Sequence, residues 1–499
     1  MHFLFTSLLF LPLLGCFCLF FINDTKKQTI QSLALVVTLL TFFLSVLFCL
    51  FFDPFQLNYQ SMYLITLPFL YDFSFLVGVD GISLLFILLT TFLFPFCILV
   101  NWNQISTYVK EYVLFFFILE AVLILVFSVL DLFLFYVCFE SVLIPMFIYI
   151  GVWGSRERKI YAAYMLFLYT LAGSLFMLIG ILAIFYFIGT TDIQLLHMQT
   201  WELSFQKLLW LSFFASFAVK IPMFPFHIWL PEAHVEAPTA GSVLLAGVLL
   251  KMGGYGFIRF TLPMFPEATL YFLPLVFTLA VLAIIYTSLT TIRQTDIKRI
   301  IAYSSVGHMN MVVVGIFALT IISLEGSFFL MLSHGIVSGG LFLCIGMLYH
   351  KHKTRLIRYY GGLVQMMPIF VSILCLLTLA NLSLPTTSSF VGEFLILLGT
   401  FEKNMWVTVL SATTMILGAA YSLWFFNRLA FGNLKLQFIN KYIDIDKKET
   451  FLLYPLIVFV FGAGLAPNLF FPICMVILLL FCFHMHNLIC ICFSLFFKK

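Results

Sequence analysis

Apolar segments of about 20 residues recur along the whole chain, and each is long enough to cross the hydrocarbon core of a bilayer as a helix. The sequence is 63% hydrophobic and only 9% charged, whereas a soluble globular domain has about 25% charged residues. A chain in lipid must satisfy its backbone hydrogen bonds internally, and these runs lack the apolar–polar alternation of a barrel strand. The sequence therefore predicts an all-α polytopic membrane protein and excludes a water-soluble fold.

We predict about fourteen transmembrane helices from these runs. The first run, Phe3 to Ile22, lacks a basic region and a cleavage site, so we expect a retained helix rather than a signal peptide. The tail 474–497 is long enough for a fifteenth span, but the polar residues in its middle fit an interfacial helix as well. The predicted ranges are 2–22, 30–52, 82–101, 112–129, 131–151, 160–188, 207–228, 239–262, 270–292, 299–320, 325–350, 369–402, 406–430 and 452–473.

Lysine and arginine are distributed asymmetrically among the predicted loops. About eighteen follow odd-numbered helices, and only three, Lys207, Arg259 and Lys403, follow even-numbered ones. Basic loops remain on the side from which a chain is inserted, so we call their side the basic face and the opposite side the outer face. The N-terminus is then predicted on the outer face, and in a mitochondrion the basic face would be the matrix side.

Two predicted helices are interrupted by proline. The seventh contains Lys220-Ile-Pro222 and Pro225, and the twelfth is interrupted from Pro385 through Gly392-Glu393. Interrupted helices in corresponding halves are a sequence indication of inverted repeats in transporters. We predict N-terminal helices 1–3 in 1–111, a first repeat of helices 4–8 in 112–262, a second repeat of helices 9–13 in 270–430, and a C-terminal loop, helix and apolar tail in 431–499.

Few charged side chains are predicted at bilayer depth. Each costs at least about 2.5–3.5 kcal/mol there and is therefore a candidate for function. Burial disfavours the charged form of an acid or a lysine, and a nearby opposite charge favours it, so a buried Glu–Lys pair can hold or release a proton as the pair closes or opens. The candidates are Glu120, Glu140, Lys220, Lys251 and Glu393.

Each of these charges also has a structural interpretation. Glu140 and Lys220 could form an ion pair that fixes helix register, and Glu120, near the end of its helix, could extend to the membrane surface. Lys251 could do the same along its stem, although the glycines after it favour a functional position that a backbone or water can approach. Asp131 begins its predicted helix and most simply interacts with the helix dipole.

Histidines add polar groups to the same predicted path. His334 precedes several glycines in a helix that we expect to be loosened and to admit water, and His308 is a second candidate relay. A packed, hydrogen-bonding histidine is the alternative for both. His227, His234 and Glu236 resemble a metal site in composition, but the prolines around them favour a loop at the entrance to the broken helix.

No sequence pattern indicates a bound cofactor. The chain has no GxGxxG, no P-loop and no CxxC among its eleven cysteines, so we expect it to bind no NADH, flavin, nucleotide, metal or iron–sulfur cluster. The net charge of +4 is too small and too dispersed to suggest a nucleic acid partner.

From about residue 70 to residue 430 the sequence closely resembles the antiporter-like membrane subunits of proton-translocating NADH–quinone oxidoreductase, respiratory complex I, and among them the subunit 4 family. The resemblance rests on six segments with family spacing. They are GVDGIS at 78–83, ESVLIP at 140–145, the run from FAVKIPMFPF to GGYGFIRF at 217–260, TDIKRIIAYSSVGHMN at 295–310, HGIVSGGLFL at 334–343 and NLSLPTTSSFVGEF at 381–394.

The resemblance implies a role for each membrane charge. Glu140 corresponds to the membrane glutamate of the fifth helix and Lys220 to its partner on the broken seventh helix. Lys251 corresponds to the central lysine of the eighth helix, and His334 to part of a hydrated axis on the eleventh. Glu393 distinguishes this subunit, because the related subunits 2 and 5 carry lysine at that place.

The resemblance also implies an assembly. The chain would be a subunit of an H⁺-translocating NADH:ubiquinone reductase in which NADH, FMN, iron–sulfur clusters and ubiquinone are bound elsewhere. Its expected partners are subunit 2-like and subunit 5-like neighbours, supernumerary subunits and membrane lipids. The expected location is the mitochondrial inner membrane, with a plastid or bacterial membrane left open. The alternatives are a stand-alone cation/proton antiporter subunit, a membrane-bound hydrogenase subunit and a purely structural scaffold.

Overall fold

The computed structural model describes residues 1–56, 58–66, 74–102, 104–435, 437–439 and 442–473. The predicted tail segment 474–497 and Lys441 lie outside the described residues. Helices make up most of these ranges, in agreement with the predicted fold class. They are α1 His2–Phe20, α2 Lys27–Leu50, α3 Gly81–Asn101, α4 Val109–Ser128, α5 Leu132–Ser141, α6 Leu143–Trp153, α7 Lys159–Ile188, α8 Ile193–His197, α9 Leu203–Lys220, α10 Trp229–Glu236, α11 Thr239–Met264, α12 Pro266–Ile292, α13 Ile297–Phe317, α14 Ile321–His352, α15 Leu363–Met366, α16 Pro368–Asn381, α17 Ser388–Phe401, α18 Met405–Ala430 and α19 Lys447–Leu465.

Within the described ranges, twelve helical segments are long and apolar enough to cross a membrane, with α5 and α6 together forming one of them. They coincide with twelve of the predicted spans. The other two predicted spans are the interrupted helices, which α9 and the pair α16 and α17 occupy. The predicted count of fourteen is therefore not confirmed by length and composition, although all fourteen predicted positions are helical.

A short β-hairpin joins α2 to α3, which the predicted all-α class did not include. Strand β1 is Gln60–Thr66 and strand β2 is Ser74–Val79. The strands are antiparallel, with Tyr63 opposite Val77 and Leu64 opposite Leu76. Both strands are short, so the length of apolar runs alone does not reveal them.

The first interrupted helix ends earlier than the predicted residue 228. Helix α9 ends at Lys220, because Pro222 lacks the N–H that a continued helix would need. Side chains satisfy two of the carbonyls at the break, since Trp229 Nε1 donates to the Val219 carbonyl at 2.9 Å and Asn310 Nδ2 to the Pro222 carbonyl at 3.3 Å. Lys220 thus lies at the negative end of the α9 dipole.

The second interrupted helix is broken over a shorter stretch than predicted. Helix α16 ends at Asn381 and α17 begins at Ser388, so Gly392 and Glu393 lie inside a regular half-helix. In the break, Ser383 and Thr386 have φ of 61° and 87°, a left-handed conformation that is uncommon for residues other than glycine. The Ser389 hydroxyl donates to the carbonyl of Ala380 across the break.

Helix α11, which carries Lys251, contains two π-helical segments. Leu245–Leu249 precedes the lysine and Phe257–Thr261 follows it. Such segments are rare and occur frequently at functional sites. The predicted close approach of a backbone at the following glycines is also present, because a Cβ on Gly253 would lie 3.2 Å from the Phe217 carbonyl.

Helix α5 begins at a cap that agrees with the predicted role of Asp131. Its carboxylate accepts a hydrogen bond from the Leu134 backbone at 2.8 Å and another from the Thr191 hydroxyl at 2.5 Å. Helices α5 and α6 meet at Val142, where Pro145 lacks the N–H that would bond to the Ser141 carbonyl. Glu140 therefore lies beside an irregularity that the predicted continuous helix 131–151 did not include.

Loops assigned to the basic face contact one another. Arg355 Nη2 donates to Ser155 Oγ at 3.0 Å, and the Ser155 backbone donates to the Glu236 carbonyl at 3.1 Å. Lys351 forms an ion pair with Glu449 at 2.7 Å. Four segments that are distant in sequence are thus held together at one end of the bundle, as the predicted orientation requires.

We expect single cysteines at Arg158 and Lys448 to be labelled from one side of sealed vesicles and a cysteine at Lys403 from the other side. All three positions are exposed, so accessibility depends on the membrane side alone. The measurement is labelling by a membrane-impermeant maleimide before and after the vesicles are opened, with the unsubstituted chain as the control for native cysteines. Labelling of Arg158→Cys and Lys448→Cys from opposite sides would contradict the orientation.

Candidate functional site

The side chains of Lys251 and His334 meet in the interior of the bundle. Lys251 Nζ lies 2.9 Å from His334 Nδ1 and donates to the Ala246 carbonyl at 2.5 Å. Lys251 is fully buried and His334 is 3% exposed. This hydrogen bond can exist in two protonation states, because the ammonium can donate to Nδ1 and the neutral amine can accept from an Nδ1–H.

Glycines bring the two helices that carry these residues close together. A Cβ on Gly335 of α14 would lie 2.9 Å from the Gly247 carbonyl of α11. The expectation that glycines loosen the His334 helix is wrong, since α14 is one continuous helix of 32 residues. They act by allowing close helix packing, which places His334 within reach of Lys251.

His308 and Glu393 form a second buried pair. His308 Nδ1 lies 2.8 Å from Glu393 Oε1, and Glu393 is 2% exposed. Helix α13 supplies the histidine and the second half of the broken helix, α17, supplies the glutamate. Glu393 therefore lies in the half-helix that begins directly after the break.

The two pairs lie end to end. The rings of His308 and His334 have their centroids 5.8 Å apart, and neither Nε2 atom has a hydrogen-bond partner among the described residues. We call the series Lys251, His334, His308 and Glu393 the central axis. Lys251 is twelve residues beyond the start of α11 and His308 eleven beyond the start of α13, or about 18 and 16 Å from the basic ends of these helices at 1.5 Å per residue. The axis therefore runs along the membrane plane near mid-depth.

Glu140 and Lys220 are neighbours but do not form a closed ion pair. Their charged atoms are buried and do not form a hydrogen bond to each other, although the two charges act on each other electrostatically. Lys220 Nζ lies 4.3 Å from the centre of the Phe139 ring, a distance typical of a cation–π contact. In this arrangement the two residues do not form the tight ion pair that would fix helix register.

Glu120 is fully buried and does not extend to the membrane surface. Its Oε1 atom accepts a hydrogen bond from the Thr41 hydroxyl of α2 at 2.6 Å, and Oε2 has no partner among the described residues. The structural alternative suggested for Glu120 is therefore wrong. The sequence analysis did not identify Thr41 as its partner.

A buried ion pair on the outer side was also missed. Arg259 had been counted as a loop residue, but it lies in the second π-helical segment of α11 and is 2% exposed. Its Nη2 atom contacts Asp80 Oδ2 at 2.5 Å, and the guanidinium also donates to the hydroxyls of Tyr59 and Tyr255. Asp80 belongs to the GVDGIS segment, whose charge before an apolar helix was the available signal.

On the basic face, two further residues counted as loop cations are buried. Lys298 Nζ donates to the Ala237 carbonyl at 2.6 Å. Arg355 donates to the Val235 carbonyl and has Glu236 at 3.9 Å. Both cations line a cavity of about 160 Å³ that also reaches Thr239, the first residue of α11.

The segment around His234 is not the loop that the sequence analysis predicted. It is helix α10, in which His234 is fully buried and its ring stacks on Phe342 with centroids 4.7 Å apart. Within the described part of the chain, no group of three or more histidine, cysteine or acidic side chains is arranged to hold a metal ion.

Comparisons with known proteins agree on one family. Residues 129–418 match the family described as NADH:quinone oxidoreductase/Mrp antiporter, TM. NADH-ubiquinone oxidoreductase chain 4 of Marchantia polymorpha is 58% identical over 466 residues, which cover 93% of this chain and 94% of the relative. The protein of the same name from Arabidopsis thaliana is 56% identical over 470 residues, covering 94% and 95%.

Solved structures share the fold. A chain in the structure of respiratory complex I from Thermus thermophilus with bound NADH superimposes with a TM-score of 0.87 at 28% identity, covering 96% of this chain and 99% of that chain. A chain of the archaeal membrane-bound sulfane sulfur reductase superimposes with a TM-score of 0.84 at 19% identity, covering 97% and 100%. The second likeness concerns the fold alone.

Proposed function

We propose a proton-translocating function for this chain, which belongs to the NADH–ubiquinone oxidoreductase chain 4 family. It is a multi-pass membrane-arm subunit of respiratory complex I, and its relatives favour the mitochondrial inner membrane. In this proposal NADH, FMN, the iron–sulfur clusters and ubiquinone act in other subunits of the complex. This chain contributes a path for protons, and subunit 2-like and subunit 5-like neighbours flank it.

The observation that supports the proposal is the central axis. Its four side chains can each gain or lose a proton, they are buried at bilayer depth, and they follow one another through two hydrogen-bonded pairs. Intramembrane ionisable residues in such a series are typical of proton relays. Leucine at these four positions would make the bundle more stable, so the burial of ionisable side chains there indicates a function.

The chemistry of the axis follows from its contacts. A proton on Lys251 passes to His334 Nδ1 when the imidazole releases another from Nε2. Between the Nε2 atoms of the two histidines, one intervening water would complete the path to His308. His308 Nδ1 then protonates Glu393, which is the acid that delivers the proton toward the outer face.

In this proposal Glu140 and Lys220 supply a switch near the Lys251 end of the central axis. In the open arrangement the Lys220 charge is stabilised by the Phe139 ring rather than by hydrogen bonds. Closing the pair would neutralise that charge and change the electrostatic field at Lys251, whose helix packs against α9 through Gly253. Glu120 is a further proton-binding candidate, held by Thr41 on the N-terminal helices.

We expect Glu140→Gln to leave the complex assembled but to lower both proton pumping and coupled quinone reduction by about ten-fold, which corresponds to about 1.4 kcal/mol in a barrier. The amide retains the volume of the acid, but it can neither attract Lys220 nor bind a proton. The measurement is proton uptake and NADH oxidation by the reconstituted complex.

Glu202→Gln is the matched control for Glu140→Gln, because Glu202 is an exposed glutamate at the start of α9. We expect this variant to retain wild-type activity. If Glu140→Gln also retained both activities, Glu140 would be a structural residue, and the proposed switch would be wrong.

A further inference from the structure

An apolar groove opens toward the outer face at a place remote from the central axis. Residues of α12, of the end of α13 and of the start of α18 line it. The groove has a volume of about 490 Å³, within the range of about 300–1,000 Å³ found for ligand sites. Its apolar lining includes Leu273, Phe277, Phe317, Leu319 and Val407.

One wall of the groove is a continuous stripe on a single helix. Leu270, Leu273, Pro274 and Phe277 recur along α12 at the spacing of one helical face. The stripe begins near the outer end of the helix and continues for about two turns into the membrane. An apolar stripe in this direction matches an extended hydrocarbon chain.

The mouth of the groove carries a positive charge. Lys403 and Asn404 line it, and no ion pair involves Lys403 within the described ranges. Asn404 uses its side-chain oxygen to cap α18, accepting from the Trp406 backbone at 3.0 Å, so its amide N–H groups remain available as donors. The acidic neighbour Glu402 does not line the groove.

Lys403 differs from the other two basic residues assigned to the outer face. Arg259 is neutralised by Asp80 in the interior. Lys207 Nζ lies over the Tyr271 ring at 3.4 Å. Of these three cations, Lys403 is thus the one that has neither an ion pair nor an aromatic ring as a partner among the described residues, and it lies where the apolar groove reaches the membrane surface.

We propose that this groove is a binding site for one anionic phospholipid of the outer-face leaflet. An acyl chain lies along the α12 stripe, and the headgroup phosphate accepts hydrogen bonds from Lys403 Nζ and from the Asn404 amide. The charge complementarity at the mouth selects an anionic over a zwitterionic lipid, since a lysine near an anionic surface contributes about a five-fold preference. The site is independent of the proposed proton path.

The test uses the intact complex and two phospholipids that carry a photoactivatable diazirine on the acyl chain. One is phosphatidylglycerol and the other phosphatidylcholine. Cross-linked peptides identified by mass spectrometry are expected to contain Leu273, Phe277 or Val407, with about five-fold more labelling by phosphatidylglycerol. Lys403→Gln should abolish this preference, and Lys207→Gln, which removes a charge on the same face, should preserve it.

A second variant separates the groove from the charge. Val407→Phe fills the groove but retains Lys403, so labelling of Leu273 and Phe277 should fall for both lipids. Equal labelling by the two lipids in the unsubstituted complex would overturn the proposal, as would labelling that Val407→Phe leaves unchanged. Absence of lipid labelling would also overturn it and would indicate that a protein neighbour covers the groove.

Discussion

Lys251→Ala is expected to reduce proton pumping and coupled quinone reduction to below about a tenth of the wild-type rates, a loss of about 1.4 kcal/mol or more. Lys251 is the fully buried end of the central axis and the only partner that His334 Nδ1 has among the described residues. Alanine removes the proton carrier and leaves the histidine unpaired. The measurement is proton uptake per electron pair together with NADH oxidation in the reconstituted complex.

Two further substitutions separate the chemistry of Lys251 from its volume. Lys251→Met fills nearly the same space without a proton-binding atom, so we expect it to be as inactive as alanine while the complex assembles normally. Lys251→Arg keeps a charge and donors for the Ala246 carbonyl and for His334. It should retain more activity than alanine but less than wild type, because arginine stays protonated and cannot pass a proton on.

The exposed Lys448 provides the control, and Lys448→Met should behave as wild type. Wild-type pumping by Lys251→Met would show that the Lys251 amine is dispensable, and protons would then have to pass His334 by another route. Loss of assembly in all three Lys251 variants would instead assign the residue to folding. The outcome is read from the amount of assembled complex, measured beside the activities.

Most of the spans could be predicted from the sequence. A backbone in lipid must be fully hydrogen-bonded as a helix, and such a helix requires a long apolar segment that is visible in the sequence. The same principle located the two breaks, since proline removes an N–H at a fixed place. It did not give their extent. Ser388 restarts a helix soon after Pro385, so Glu393 proved to lie in a regular half-helix and not in the break.

The five candidate charges at bilayer depth were identified from the sequence, but most of the side-chain pairs found in the structure were not. His308 and Glu393 are 85 residues apart in sequence, Glu120 and Thr41 are 79 apart, and Arg259 and Asp80 are 179 apart. Such pairs depend on how the helices pack against one another, which the local sequence does not specify. The positive-inside count treated Arg259 as a loop charge for the same reason.

Glycine shows how one composition can have two physical meanings. The glycines after His334 were interpreted as a loosening of the helix that would admit water. In the structure Gly335 lets α14 approach the Gly247 carbonyl, and this closeness allows the Lys251–His334 hydrogen bond to form. The π-helical segments on either side of Lys251 were not predicted from the sequence.

The second large effect is expected for Glu393→Gln, which should lower proton pumping and quinone reduction by about ten-fold. The amide oxygen can still accept a hydrogen bond from His308 Nδ1, so the helix packing around α17 should be preserved. The amide cannot take the proton that His308 delivers. Glu402→Gln, an exposed change just after the same half-helix, is the control and should be silent.

Glu393→Lys tests whether the position requires an acid or only a group that can exchange protons. The resemblance to the antiporter-like subunits implies that subunits 2 and 5 have lysine at this position. This variant should therefore recover part of the activity that Glu393→Gln loses. The introduced ammonium would face His308 in place of a carboxylate, which disfavours a protonated imidazole. The pH profile of quinone reduction should therefore differ from that of wild type, an effect that a purely structural role for Glu393 would not produce. Full pumping by Glu393→Gln, measured per electron pair in the assembled complex, would make Glu393 a hydrogen-bonding partner of His308 and end the central axis at the histidine.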